Sequence, residues 1–320
     1  MSADIWNRDV VTLGSNTEAW WGSQAGKLFA GRLSPRRAQA EGVAAFHVEE
    51  HPVILSGQVL EGSKGLVAVN GTDKWPLSVV GQDYGVMQNE TFWGILEHVY
   101  QSKPVVETAG TLGNGKRVWA LIAAGEHSIQ AGDKVLEYDL WVNSFDGSYA
   151  LSCLGTVVRV VCQNTLTMAV GKARKRLMSV KHTINVNQTA ASAVATLTAS
   201  RDARLVELAK MRRLAELDMS FDEAVQFFRD LMGVTSVTEA HTRTLNNVDQ
   251  LTDLFSNGKG NVGETRWDAL NAVTEFSDHH RTLRVGDGNR AEARFTSALL
   301  GSGADLKSRA FEMLVGDWQG

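Results

Sequence analysis

Apolar residues in the first half of the chain recur every second position, and those in the second half recur every third or fourth. Leu136, Tyr138, Leu140 and Val142 alternate with Glu137 and Asp139, the pattern of a strand with one solvated face. Similar runs predict a meander of four strands, Val105–Thr111, Lys116–Ala124, Lys134–Val142 and Tyr149–Cys162. Leu112-Gly113-Asn114-Gly115 and Asp146-Gly147 supply turns between them, because Asn-Gly and Asp-Gly accept the positive φ that tight hairpins require. Earlier strands are predicted at Val53–Ser56, Leu66–Asn70 and Leu77–Val80. Ser34 and Pro35 open a short capped helix, and a second helix runs from Asn89, its expected cap, towards Pro104.

A helix over Thr165–Ser179 is expected to cover the sheet. From Ala190 to about Met232 breakers are few, and Leu205, Leu208, Ala209, Arg212 and Leu214 stand at helical spacing. Later helices are predicted at Val248–Phe255, Glu264–His279 and Ala304–Val315, with loops at Gly258–Gly263, Val285–Arg290 and Gly301–Asp305. The fold class is therefore α+β: an antiparallel β-meander with covering helices, then a helical C-terminal half. The expected domains are 1–183 and 188–320, divided where strand-rich sequence gives way to Ala/Thr-rich helix.

Composition narrows the class. The 320 residues are 43% apolar and 21% charged, usual for a soluble globular protein. No stretch approaches the ~20 apolar residues of a membrane span, and the N-terminus lacks a secretory pattern. Two cysteines, Cys153 and Cys162, make no disulfide framework. A reducing cytoplasm is the expected setting. The net charge of −4 argues against a generally basic nucleic-acid binder. That average conceals Lys172, Arg174, Lys175, Arg176, Lys181 and His182, clustered within eleven residues. A local positive field matters more to a polyanion than the global sum.

Several chemical motifs dissolve on inspection. Gly110–Lys116 has P-loop spacing, but Arg117 follows where Ser or Thr should, and a strand follows where a helix is required. It reads as a hairpin turn. Gly258–Gly263 matches a dinucleotide fingerprint but lacks a preceding strand. Glu275 and His279 share one helical face, yet zinc needs further ligands. Asp139, Asp146 and Glu137 read first as turn and solvent-face residues. No catalytic residues, cofactor or metal are assigned.

The basic segment fares better. Lys172, Lys175 and Arg176 fall on neighbouring helical faces, and the adjacent strands offer Trp119, Trp141 and Tyr149 as stacking platforms. Cations along a backbone path beside aromatic rings are the usual means of sequence-tolerant single-strand binding. The candidate nucleic-acid-binding residues are Lys172, Arg174, Lys175, Arg176, Lys181, Trp141, Tyr149 and Arg159. Arg159 lies in the most apolar strand, so its guanidinium is expected to find an acceptor, with Asp139, Glu137 or a backbone carbonyl available.

Several blocks resemble one family. They include Val79–Tyr84, Gln88–Phe92, Glu107–Leu112, Arg117–Leu121, Asn143–Ser148, Val158–Leu166, Lys181–Thr183, Asn271–His279 and Gly301–Lys307. Together they resemble the phage- and plasmid-encoded family built on the domain of unknown function numbered nine hundred thirty-two. Trp20-Trp21-Gly22 departs from the family's more frequent Trp-His-Gly, and Phe145 stands where histidine is frequent. The resemblance implies a mobile-element protein and carries no mechanism.

Three functions follow as expectations. The first is a non-enzymatic nucleic-acid-binding protein, with single-strand annealing in DNA recombination or replication as its role and homo-oligomers as its form. The second is an interaction protein that engages a host factor. The third is a metal-dependent nuclease using carboxylates such as Asp139 or Glu275.

Overall fold

The computed structural model describes residues 11–13, 27–29, 33–100, 106–159, 165–167, 177–197, 201–236, 238, 240–283 and 290–316. The chain divides into two compact units. The first comprises Met1–Ala124, Tyr138–Gly155 and Lys175–Arg201; the second comprises Gly125–Glu137, Thr156–Arg174 and Asp202–Gly320. The units interleave along the chain because the meander strands are long and run from one into the other.

Strands β1 (Val11–Leu13) and β2 (Lys27–Phe29) precede helix α1 (Pro35–Ala40). Ser34 caps α1 by accepting the Arg37 amide, with Pro35 at its start, as the sequence predicts. Strands β3 (His47–Leu55), β4 (Gln58–Asn70) and β5 (Asp73–Gly81) form an antiparallel three-stranded sheet. Both outer strands carry a proline, Pro52 and Pro76, as edge strands tolerate.

Helix α2 (Asn89–Val99) follows. Its cap is Gln88, not Asn89. Asn89 is buried and donates to the Phe46 carbonyl at 2.9 Å, because its side chain is needed to hold the chain entering β3.

The meander is β6 (Val106–Leu112), β7 (Arg117–Gln130), β8 (Asp133–Ser144) and β9 (Leu151–Arg159). With β1, β2 and the short β10 (Thr165–Thr167) it lies in one sheet of order β10-β9-β8-β7-β6-β1-β2. The β6–β7 turn has positive φ at Gly113, Asn114 and Gly115. The Trp75 indole donates to the Asn114 carbonyl at 3.0 Å, so the P-loop-like spacing is a hairpin turn. Asp146 accepts the Ser148 amide at 3.0 Å, and Gly147 takes φ +72°. The first unit's core joins Phe92, Trp93 and Leu96 of α2 to Ala109, Val118, Trp141 and Phe145 of the meander region.

The expected helix over Thr165–Ser179 is overturned at both ends. Thr165–Thr167 and β11 (Met178–Val180) are strands, both antiparallel to β9. β8 occupies only one edge of β9, so its other edge supplies backbone partners. Thr165 and Thr167 are β-branched, and Met178 and Val180 bury their side chains there. α2 covers the sheet instead.

Seven further helices complete the described chain. They are α3 (Val186–Leu197), α4 (Arg201–Glu216), α5 (Phe221–Met232), α6 (Thr242–Asn257), α7 (Arg266–Glu275), α8 (Arg290–Leu300) and α9 (Ser302–Val315). A π-helical turn, Phe276–His280, continues α7. Reciprocal caps start two of them, Ser220 with Glu223 on α5 and Thr265 with Asp268 on α7. Gly233 ends α5 in the left-handed region. The second core packs Phe227, Phe228, Phe255, Trp267, Phe276 and Phe311 with Ile129, Val135 and Val157 from the strands.

Gly301–Asp305, expected as a loop that starts the last helix, does start α9, but from Ser302 onward it is already helical and no side chain caps it. A Cβ on Gly303 would stand 2.7 Å from both Ser277 Oγ and the Ser297 carbonyl, so glycine is needed for close helix approach.

Candidate nucleic-acid interface

Four of the sequence-derived binding residues, Lys172, Arg174, Lys175 and Arg176, lie outside the described residues. Thr167 pairs with Thr156, and Met178 pairs with Cys153. The partners of Thr167 and Met178 on β9 are therefore three positions apart. Beyond the return strand, Lys181 is exposed. Tyr149, at the start of the strand that pins both ends, is half-buried.

Two expected members are not surface groups. Trp141 is fully buried, and its indole donates to the Tyr100 hydroxyl at 2.9 Å. That hydroxyl donates in turn to Asp139, and burial beside this carboxylate drives the Tyr100 pKa well up. No base can reach a ring sealed this way, so Trp141 is a core residue. Trp119 is buried as well. Residue type alone offers these rings for stacking but does not tell which of them the core encloses.

Arg159 is the second correction. It is 3% exposed, and its donors are taken up within the second unit. Nε and Nη2 donate to Asp133, the shortest contact being 2.6 Å. Nη1 donates to Asn261 Oδ1 at 2.9 Å and the Lys259 carbonyl at 3.2 Å; Nη2 also reaches the Gly260 carbonyl at 2.8 Å. Trp267 Nε1 donates to Asp133 at 2.8 Å. A guanidinium so engaged has nothing left for a phosphate. Its carboxylate acceptor is Asp133, not Asp139 or Glu137, while backbone carbonyls serve as expected. The same contacts show what Gly258–Gly263 does: the glycine-rich loop wraps Arg159 with backbone carbonyls and holds no dinucleotide fingerprint geometry.

The carboxylates considered for chemistry are each engaged. Glu137 is buried and accepts from Arg204 Nη1 and from His127 Nε2, both at 2.8 Å. Glu275 accepts the Lys259 amide at 3.1 Å. Asp278 pairs with fully buried Lys307 at 2.7 Å. Among the described residues no three His, Cys, Asp or Glu side chains gather as a metal site would require.

One arrangement went unforeseen. The His182 and Tyr84 rings stack at 4.9 Å with 14° between planes. His182 Nδ1 lies 3.1 Å from the Gly85 carbonyl, and the Gly85 amide donates to the His182 carbonyl at 3.2 Å. A Cβ on Gly85 would fall 1.9 Å from the Thr183 carbonyl, so only glycine permits this crossing. The signal was present only as two separate blocks, Val79–Tyr84 and Lys181–Thr183, nearly a hundred residues apart. Burial pushes the Tyr84 hydroxyl up to about 12 and the His182 imidazole down.

Residues 76–299 match the family model described as Domain of unknown function (DUF932). No curated protein and no solved structure matches the chain.

Proposed function

Starting from the fact that the chain belongs to the DUF932 family, we propose that it is a non-enzymatic protein that binds single-stranded nucleic acid. The binding segment is Lys172, Arg174, Lys175 and Arg176, with exposed Lys181 at its margin and Tyr149 as the remaining aromatic contact. One observation carries the reading. Five cations fall within ten residues of an acidic chain, and the segment bearing four of them starts and ends on β9. Cations this close in sequence favour a polyanion over dispersed counterions. Single-strand annealing during DNA recombination or replication, in the bacterial cytoplasm and encoded by a phage or plasmid, is the biological role this reading favours.

The test is a titration of the purified chain with single- and double-stranded DNA across salt. Each phosphate contact contributes a slope of roughly 0.7 for a single strand. Lys172→Ala, Lys175→Ala and Arg176→Ala combined should weaken binding and reduce the slope by about 2, with an unchanged melting temperature. Wild-type protein that shows no salt-dependent binding to any single strand defeats the proposal and leaves the host-factor reading standing.

A further inference from the structure

Three arginines from separate elements of the second unit gather where no described carboxylate answers them. Arg243 stands in the first turn of α6, Arg281 follows the π-helical turn, and Arg309 lies on α9. α6 and α9 both pack against that turn, and α9 also packs against α5. The Arg281 amide donates to the Phe276 carbonyl at 2.7 Å, so the backbone from which its side chain leaves is fixed. Its Nη1 is buried and has no hydrogen-bond partner. Arg309 Nη2 donates to the Leu231 carbonyl, in the last turn of α5, at 2.6 Å, which holds that guanidinium in place with other N–H groups to spare. Arg243 is exposed, and among the described residues neither it nor Arg281 is paired with a carboxylate.

This arrangement is costly for the folded chain. Burial lowers the Arg281 pKa, and so do the charges of Arg243 and Arg309. A guanidinium cannot shed its proton to escape such repulsion. The buried arginines Arg159 and Arg204 of the same unit each face a carboxylate, Asp133 and Glu137; Arg281 faces two cations. The start of α6 adds to the field. His241 makes no side-chain cap there, and the first turn holds no acidic residue, so nothing on the helix offsets its positive end.

We propose that Arg243, Arg281 and Arg309 form a binding site for a phosphate group. A carboxylate is satisfied by one bidentate arginine, whereas the oxygens of a phosphate point in several directions and accept from guanidinia that arrive from different elements. Arg281 Nη1 supplies the buried donor, and Arg243 and Arg309 supply donors from the exposed side. Two sources carry that group, a free phosphorylated small molecule and a nucleic-acid backbone. The site uses none of the residues of the strand-binding reading and does not depend on it.

Calorimetric titration of the full chain with inorganic phosphate, in chloride buffer of matched ionic strength, should show a saturable event. Arg281→Gln and Arg243→Gln should each weaken it by at least about tenfold, as for the loss of a hydrogen bond to a charged group. Without phosphate, Arg281→Gln should melt no lower than wild type, because it removes a charge that its neighbours repel. The combined Lys172→Ala, Lys175→Ala and Arg176→Ala variant should keep the wild-type phosphate affinity. Titrating that variant with a single-stranded oligonucleotide in the presence of phosphate distinguishes the sources. Competition assigns the site to a strand, and its absence assigns the site to a small molecule. The proposal is overturned if phosphate shows no saturable binding, or if Arg281→Gln and Arg243→Gln leave the affinity unchanged. Loss of phosphate binding in the combined lysine and arginine variant also overturns it, since the anion would then sit on the basic segment.

Discussion

Two hairpins in this molecule extend beyond the body of their sheets, and they end differently. The β7–β8 hairpin turns at Ala131-Gly132, and its distal part, Gly125–Glu137, belongs to the second unit. There Ile129 is 7% and Val135 1% exposed, packed among helical residues such as Leu208, Phe228 and Trp267. Its polar groups are also claimed, Asp133 by Arg159 and Trp267, and Glu137 by Arg204 and His127. The β3–β4 hairpin carries comparable aliphatic residues at its tip, and they are exposed, Ile54 64% and Val59 60%. Strand patterning specifies which side of a ribbon is apolar. Whether anything lies against that side is decided by other parts of the chain, or by another molecule.

The strongest test of this contrast removes the fastening of the covered hairpin. Arg159→Ala would leave the Asp133 carboxylate buried with only the Trp267 indole among the donors described above. Breaking a buried pair from one side costs about 3–5 kcal/mol, a large share of the stability of an ordinary domain. Urea denaturation should show the free energy of unfolding reduced by that amount. Arg159→Lys should recover only part of the loss, because an ammonium cannot serve Asp133, Asn261 and two carbonyls at once. A loss below about 1 kcal/mol for Arg159→Ala would mean that the guanidinium does not hold the hairpin.

A pair of matched truncations comes next. Ile129→Ala removes buried methyl groups from the second core and should cost about 2–4 kcal/mol. Ile54→Ala removes the same atoms from an exposed tip and should change stability by less than about 0.5 kcal/mol. Equal losses at the two sites would erase the distinction between covered and uncovered hairpins.

Much of this was readable from residues, and the failures share a cause. The meander, its Asn-Gly and Asp-Gly turns, the Ser34 cap and most of the later helices follow from local rules of spacing and turn chemistry. The errors concern what local sequence meets across the fold. Thr165–Ser179 is expected from sequence to be a helix that covers the sheet. The open edge of β9 instead made strands of Thr165–Thr167 and Met178–Val180. Trp141 had the right residue type for stacking on a base, but α2 seals it. Arg159 was expected to need an acceptor and does, yet the acceptor lies at the start of β8, twenty-six residues away. The domain boundary expected near 183–188 reflects composition. The units divide instead according to which core the ends of β7, β8 and β9 enter. At Lys172–Arg176 the sequence supplies the charge, and the β9 register places only the strands on either side.

The smallest effect concerns a group between the two extremes, the half-buried His182 ring. Its neighbours are the Tyr84 ring and the Gly85 carbonyl, and burial lowers its pKa below the ordinary 6.5. Nδ1–H donates to Gly85, so a second proton would go to Nε2, a buried atom without a hydrogen-bond partner. The folded state therefore disfavours the charged ring, while the unfolded chain accepts the proton near 6.5. Between 6.5 and the lowered folded value the unfolded state binds more protons, so stability falls as pH falls through that window and levels off below it. Above 6.5 both states are neutral at this site, and the full contribution is present. The informative quantity is the difference between wild type and His182→Phe, which isolates this site. Phenylalanine keeps a ring against Tyr84, cannot be protonated, and gives up the bond to Gly85. The variant should be less stable than wild type at pH 8, and the gap should narrow as pH drops from 7 to 5. A gap that stays constant across those pH values would show that the imidazole remains neutral in both states or charges without cost. The stack would then act through packing alone.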